Sequence, residues 1–171
     1  MIRFPTVLLM ILVTSMCLVG CGGSDRPKLV KATGTVTLDG KPLEGALVGF
    51  QPMTDAKAKY HRPSSAVTDA SGKFLLGTYD KDDGVPVGKY KVGVQKRELV
   101  GELPKDYNSE TPGAYNLSYK WVTPRSAADP ASSGLEINVT SSGMSPAVIE
   151  LKALPQPEIE LTGPQRRANE P

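Results

Sequence analysis

The chain has little histidine and little cysteine: among its 171 residues are one histidine, His61, and two cysteines, Cys17 and Cys21. A metal-dependent hydrolase needs several His, Cys or carboxylate ligands around an open coordination position. A Ser-His-Asp triad needs a nucleophile motif beside its histidine, and none accompanies His61, which lies among lysines and prolines. The sequence therefore predicts a protein that is not an enzyme and that binds no metal or organic cofactor.

The chain also lacks a clear excess of either charge. It carries 20 lysines and arginines against 18 aspartates and glutamates. Proteins that bind nucleic acid concentrate positive charge on one face or along one element. We therefore expect no nucleic-acid partner.

Long helix-favouring stretches are scarce, because 17 glycines and 15 prolines are spread along the chain. These residues separate short runs that are rich in β-branched side chains. Such spacing is typical of many short strands joined by tight turns. The sequence predicts an all-β protein.

An apolar run near the start, Phe4 to Val19, is too short for a membrane-spanning helix, which needs about 20 residues. Arg3 precedes this run, and small residues follow it up to Cys21. A basic start, an apolar centre and small residues before a cut site are typical of a secretory signal. Two alternatives stay open: an ordinary secretory signal that happens to contain a cysteine, and an uncleaved anchor helix.

The end of this leader, Leu18-Val-Gly-Cys21, resembles the lipobox of bacterial lipoproteins. The resemblance implies a signal peptide over residues 1–20, cleavage before Cys21, and a diacylglycerol and further fatty acid on that cysteine, with residues 21–32 as a lipidated tether. It also implies an exported protein anchored at the periplasmic face of a membrane, at the outer membrane or at the cell surface. Cleavage removes Cys17, so that no disulfide can form.

Alternating apolar residues predict the strands of one domain over residues 33–153. Val36 and Leu38 share a face before an Asp39-Gly40 turn, and Tyr90, Val92 and Val94 are predicted to lie in the core. The turn Asp69–Gly72 predicts a hairpin between its two flanking strands. The remaining predicted strands are Ala46 to Phe50, Ser65 to Thr68, Lys73 to Thr78, Leu135 to Thr140 and Ala147 to Lys152.

Three stretches show no clean period. Residues 51–63 are polar and predict an exposed loop, and residues 96–133 contain four prolines and predict a long excursion over the domain. Residues 154–171 are rich in proline and predict a disordered tail. About seven strands with these turns favour a two-sheet antiparallel β-sandwich, with a small β-barrel as the alternative.

Four segments carry a second resemblance: residues 34–43, 46–52, 68–74 and 86–94, with a fainter likeness over residues 130–151. Together they look like the carboxypeptidase regulatory-like, transthyretin-like β-sandwich domain found in small lipoproteins of planctomycete-type bacteria. The resemblance implies an Ig-like or transthyretin-like sandwich without peptidase activity. Residues 96–129 match it only in spacing.

Two groups of side chains are candidates for binding. The carboxylates of Asp80, Asp82 and Asp83 offer oxygen ligands to Ca²⁺, although no closing glutamate follows at calcium-loop spacing, and a solvated charged turn is the alternative. The aromatic residues Tyr115, Tyr119 and Trp121 offer a flat platform for sugar rings or for a partner's side chain. Their alternative role is to cap an open end of the core.

These observations predict a membrane-anchored, non-catalytic lipoprotein that serves as a structural or protein-interaction module of the cell envelope. The alternative is a carbohydrate- or calcium-dependent binding module that uses the excursion over residues 96–133. The expected partners are the membrane, through Cys21, and an envelope protein or a glycan.

Overall fold

A computed structural model describes residues 26–53 and 62–164, and in these ranges the chain forms fourteen β-strands, two short 3₁₀ helices and no α-helix. The 3₁₀ helices are Pro112–Ala114 and Arg125–Ala127. No helix in the described ranges is long and apolar enough to cross a bilayer. The strands are β1 (Leu29–Val30), β2 (Thr33–Leu38), β3 (Lys41–Pro42), β4 (Leu47–Pro52), β5 (Ser64–Val67), β6 (Lys73–Leu75), β7 (Val85–Pro86), β8 (Gly88–Gln95), β9 (Arg97–Leu99), β10 (Leu117–Trp121), β11 (Leu135–Thr140), β12 (Gly143–Ser145), β13 (Val148–Leu151) and β14 (Ile159–Thr162).

The largest sheet has five antiparallel strands in the order β12-β11-β8-β4-β5 and curls into a half-barrel. A second sheet is built around β2, which pairs with β13 in parallel and with β3 and β6 antiparallel. Smaller antiparallel sheets join β14-β10-β9 and β1-β7. The all-β prediction is therefore confirmed, with twice the expected number of strands because many of them are very short.

The core lies between the five-stranded sheet and the sheet around β2. Phe50 and Tyr90 come from the first, while Val36, Ile149 and Phe74 come from the second, and all are at most 4% exposed. The Phe50 ring lies 6.2 Å from the Phe74 ring and 5.7 Å from the Tyr90 ring. The predicted alternation of β2, β4 and β8 is confirmed, because it places these side chains on the buried faces.

The predicted hairpin around Asp69–Gly72 is present only in part. The turn forms: the N–H of Gly72 donates to the Asp69 carbonyl at 2.9 Å, and the N–H of Asp69 donates to the Lys73 carbonyl at 2.8 Å. Its two arms meet again at a single antiparallel bridge, where Ser65 and Gly77 exchange backbone hydrogen bonds of 3.0 and 3.1 Å. Between turn and bridge each arm pairs with another strand, β5 with β4 and β6 with β2. Phe74 of β6 packs so closely on Gly34 of β2 that a Cβ atom there would lie 2.5 Å from the Phe74 ring.

The predicted tether, excursion and tail also need correction, because each contains strands. β1 lies within residues 21–32 and pairs with β7, so the folded part begins before residue 33. β9 and β10 lie within residues 96–133, and β14 lies within residues 154–171. β10 pairs with both of the others and brings three separate segments into one sheet. Residues 165–171 lie outside the described ranges.

The excursion packs against the outer face of the five-stranded sheet at Gly93 of β8. A Cβ atom at that position would lie 2.7 Å from the Pro130 ring. Ala127 of the second 3₁₀ helix is 7% exposed and belongs to the core cluster. The missing side chain at Gly93 thus lets the segment after β10 lie directly on the sheet.

Candidate functional site

Two residues of interest fall outside the described ranges. The predicted lipidation site, Cys21, precedes residue 26, and His61 belongs to residues 54–61. The carboxylate loop at Asp80–Gly84 and all three aromatic candidates are described.

The Asp83 carboxylate closes its own loop. One of its oxygens accepts the N–H of Thr78 at 2.6 Å, and the other accepts the N–H groups of Tyr79 and Asp80 at 3.0 Å each. Burial by itself would raise the pKa of the Asp83 carboxyl group. The backbone hydrogen bonds from Thr78, Asp80 and Tyr79 outweigh this effect and hold the pKa below its usual value. In the described ranges no group of three or more His, Cys, Asp or Glu residues is placed to hold a metal ion. Asp83 therefore acts as a turn-forming acceptor.

Replacing Asp83 by asparagine is expected to lower the free energy of unfolding at pH 7, because one amide oxygen cannot accept all three N–H groups. Because the pKa of Asp83 is lower in the folded state than in the unfolded state, its carboxylate stabilises the fold at pH values above the unfolded pKa of about 3.9. This stabilisation is lost as the pH falls through the folded-state pKa. Urea unfolding of parent and variant should thus converge at acidic pH. Asp82→Asn, in the same loop but outside this hydrogen-bond set, is expected to retain the parent's stability at pH 7, and equal losses from both variants would contradict this role.

The structure divides the three aromatic candidates into two groups. Tyr115 packs against Tyr107, with ring centres 5.2 Å apart, and donates its hydroxyl hydrogen to the Asp106 carbonyl at 2.5 Å. Tyr119 and Trp121 lie two residues apart on β10 and therefore share a face of the small sheet. Trp121 is only 7% exposed, so most of its indole lies against protein.

Charged side chains cover Tyr119 and Trp121. Arg97 lies opposite Trp121 in the β9–β10 register, and its guanidinium carbon is 4.7 Å from the centre of the Tyr119 ring. Glu160 of β14 accepts a hydrogen bond from Arg97 at 3.0 Å and lies 3.8 Å from Arg125. The guanidinium carbon of Arg125 is 5.9 Å from the Trp121 ring. This Arg97–Glu160–Arg125 cluster was not predicted from the sequence.

The small sheet borders a groove of about 280 Å³ between β9 and β10 on one side and the chain after β13 on the other. Trp121 is part of its wall, and the Lys96 ammonium lies 3.5 Å from the Glu98 carboxylate at its edge. Among the described residues the buried indole N–H of Trp121 has no hydrogen-bond acceptor. The lining residues are Glu98, Lys120, Trp121, Val122, Ala153, Leu154 and Pro157.

The nitrogen of the Trp121 indole has almost no solvent contact, so a molecule in the groove would meet other atoms of this residue and not its N–H. The groove combines apolar walls with a few polar groups, which is the usual composition of a small-molecule or peptide site. Its two ionisable lining residues, Glu98 and Lys120, face each other in the β9–β10 register and are exposed.

No protein-family model matches this sequence, and neither a curated protein nor a solved structure matches it. The chain is an all-β protein built mainly from antiparallel sheets.

Proposed function

We propose that the chain is a non-catalytic bacterial lipoprotein, anchored in the envelope through Cys21 and serving there as a structural or protein-interaction module. The observation that carries this proposal is Leu18-Val-Gly-Cys21 at the end of a basic and apolar leader. The first strand, β1, begins at Leu29, eight positions after Cys21, so a cleaved protein would have its folded part close to the lipid. Two or more acyl chains make such an anchor essentially permanent.

In this proposal the folded part is a carboxypeptidase regulatory-like, transthyretin-like β-sandwich. The shared core of the five-stranded sheet and the sheet around β2 supports this finer description, because a sandwich buries the inner faces of two sheets against each other. β13, the last strand of the predicted domain, lies at the edge of the second sheet and pairs with β2 in parallel.

The anchoring proposal predicts that Cys21→Ser abolishes lipid attachment and moves the protein from the detergent phase into the aqueous phase of a phase-partition assay. The measurement is metabolic labelling with an alkyne fatty acid in cells that express the full chain. Cys17→Ser is the matched control, since Cys17 lies inside the predicted leader, and its label should equal that of the parent. Label that persists on the Cys21→Ser variant would remove the lipoprotein proposal.

The groove at Trp121 favours a second candidate, a carbohydrate-binding module, because the ring carbons of a sugar suit its apolar walls. The exposed Glu98 and Lys120 beside those walls can exchange hydrogen bonds with sugar hydroxyls. A glycan array followed by titration calorimetry tests this function. Trp121→Phe keeps an aromatic ring but removes part of the indole surface at the groove wall, so affinity for any glycan found should fall about three- to tenfold. If no glycan binds on the array, or if the variant binds with unchanged affinity, the carbohydrate-binding candidate is rejected and only the interaction module remains.

A further inference from the structure

Two arginines lie over the ring of one tyrosine, Tyr79, in the loop between β6 and β7. The guanidinium carbon of Arg26 lies 4.5 Å from the centre of the Tyr79 ring, and that of Arg62 lies 5.3 Å from it. Both arginines are exposed. A cation–π contact holds a guanidinium group over a ring and leaves its in-plane N–H donors to other acceptors. Tyr79 thus gathers two cations from separate parts of the sequence.

The surface next to Tyr79 is concave and carries more cations than outward carboxylates. A depression of about 360 Å³ is lined by Tyr79, Lys81, Asp80 and Asp82 among others. Lys31 donates to the backbone carbonyl of Asp82, while the carboxylate of Asp83 is engaged by backbone N–H groups within its loop. We call the group Arg26, Lys31, Arg62, Tyr79, Asp80, Lys81 and Asp82 the Tyr79 end; its four cations outnumber its two aspartates.

The Tyr79 end is also where a lipid anchor would enter the domain. Four residues separate Cys21 from Arg26, and the five Cα-to-Cα steps of a fully extended chain span at most about 18 Å. A domain of this size is about 35 Å across. A bilayer that holds Cys21 therefore always lies close to the Tyr79 end, whereas the opposite end reaches it only when the domain lies on its side.

We propose that the Tyr79 end is a membrane-contacting surface that binds the phosphate groups of anionic phospholipids. This inference rests on the proposed lipid anchor at Cys21. Guanidinium groups bind phosphate oxygens with paired N–H donors, and tyrosine favours the boundary between headgroups and acyl chains. The tether supplies a high local concentration, so a few cations suffice to fix the orientation of the domain.

The orientation has a consequence for the rest of the molecule. β2 runs from Thr33, near the Tyr79 end, to Leu38, and spans about 20 Å. The Asp69–Gly72 turn lies toward its far end, since the Gly72 carbonyl accepts the N–H of Val36. That turn is then held away from the bilayer, where an envelope partner can reach it.

The test compares two positions on the mature, lipidated protein in vesicles. Ser65→Cys places a fluorescent label at the depression, and Ala70→Cys places the same label in the far turn. Vesicles contain a headgroup-attached nitroxide quencher in phosphatidylcholine, with or without phosphatidylglycerol. Each cation near an anionic surface strengthens the attraction about fivefold. We expect phosphatidylglycerol to raise quenching of the Ser65→Cys label at least about twofold and to leave the Ala70→Cys label unchanged.

Charge reversal separates contact by the Tyr79 end from tethering alone. The double variant Arg26→Glu with Arg62→Glu is expected to abolish the increase in quenching that phosphatidylglycerol causes at the Ser65→Cys label. High salt should abolish it too, because it shortens the screening length. Lys41→Glu with Lys152→Glu makes the same change in net charge at exposed positions near the far end and should keep the effect. The Tyr79 proposal fails if the labels respond equally to phosphatidylglycerol, or if the two double variants behave alike.

Flotation of the same samples distinguishes this failure from failure of the anchor. A lipidated protein floats with vesicles of either composition. Flotation with both compositions and no difference between the labels overturns only the Tyr79 proposal. Absence of flotation from both compositions overturns the lipid anchor and the Tyr79 proposal together.

Discussion

Phe50→Ala is expected to lower the free energy of unfolding by about 3 to 5 kcal/mol, a large part of the total stability of a domain of this size. Phe50 is fully buried and contacts Phe74 from the sheet around β2 and Tyr90 from the five-stranded sheet. Removing its ring leaves a cavity at the place where the two sheets meet. Urea unfolding measures the loss.

Gln51→Ala is the matched control for that experiment. Gln51 is the next residue of β4, points to the other face and is exposed. Its replacement is expected to change the free energy of unfolding by no more than about 0.5 kcal/mol. Equal unfolding midpoints for the two variants would show that Phe50 does not lie between the sheets.

Gly72→Ala is expected to destabilise the protein by about 2 to 5 kcal/mol, for two separate reasons. Gly72 has a φ of +72°, which is unfavourable for any residue with a Cβ atom. In addition, a Cβ atom there would lie 2.5 Å from the Val36 carbonyl oxygen and 3.1 Å from the Leu43 nitrogen. These are backbone atoms of β2 and of the chain after β3, so a side-chain rotation cannot relieve the clash.

Gly40→Ala separates the two reasons. Gly40 has a similar φ of +78°, but no atom lies within 4 Å of the Cβ position. Its replacement should cost only the backbone term of about 1 to 2 kcal/mol. Thermal or urea unfolding of both variants gives the difference, and a Gly40→Ala loss as large as that of Gly72→Ala would contradict the close approach at Gly72.

Local patterns were sufficient to predict the strands around the core. The alternation in β2, β4 and β8 depends on neighbouring residues, and so do the turns at Asp39-Gly40 and Asp69–Gly72. The partners of the strands were not predictable in the same way. β6 joins β2 because Gly34 leaves room for the Phe74 ring, a contact between residues 40 positions apart.

The candidate site was only half predictable for the same reason. Tyr119 and Trp121 stand out in the sequence because aromatic residues are few. Arg97 and Glu160 lie beside them only because β10 pairs with β9 and β14. The strand β14 was not predicted, because its alternating pattern is short and prolines flank it. The groove at Trp121 likewise needs Leu154 and Pro157, which lie in the segment predicted to be disordered.

The lipid anchor is the central proposal, and the mass of the N-terminal peptide of the mature protein tests it most directly. The protein is purified from membranes, digested and analysed by mass spectrometry. We predict an N-terminal peptide that begins at Cys21 and carries a diacylglyceryl group on its sulfur, with no peptide from residues 1–20. A mature N-terminus at another residue, or a free thiol at Cys21, would contradict the proposal.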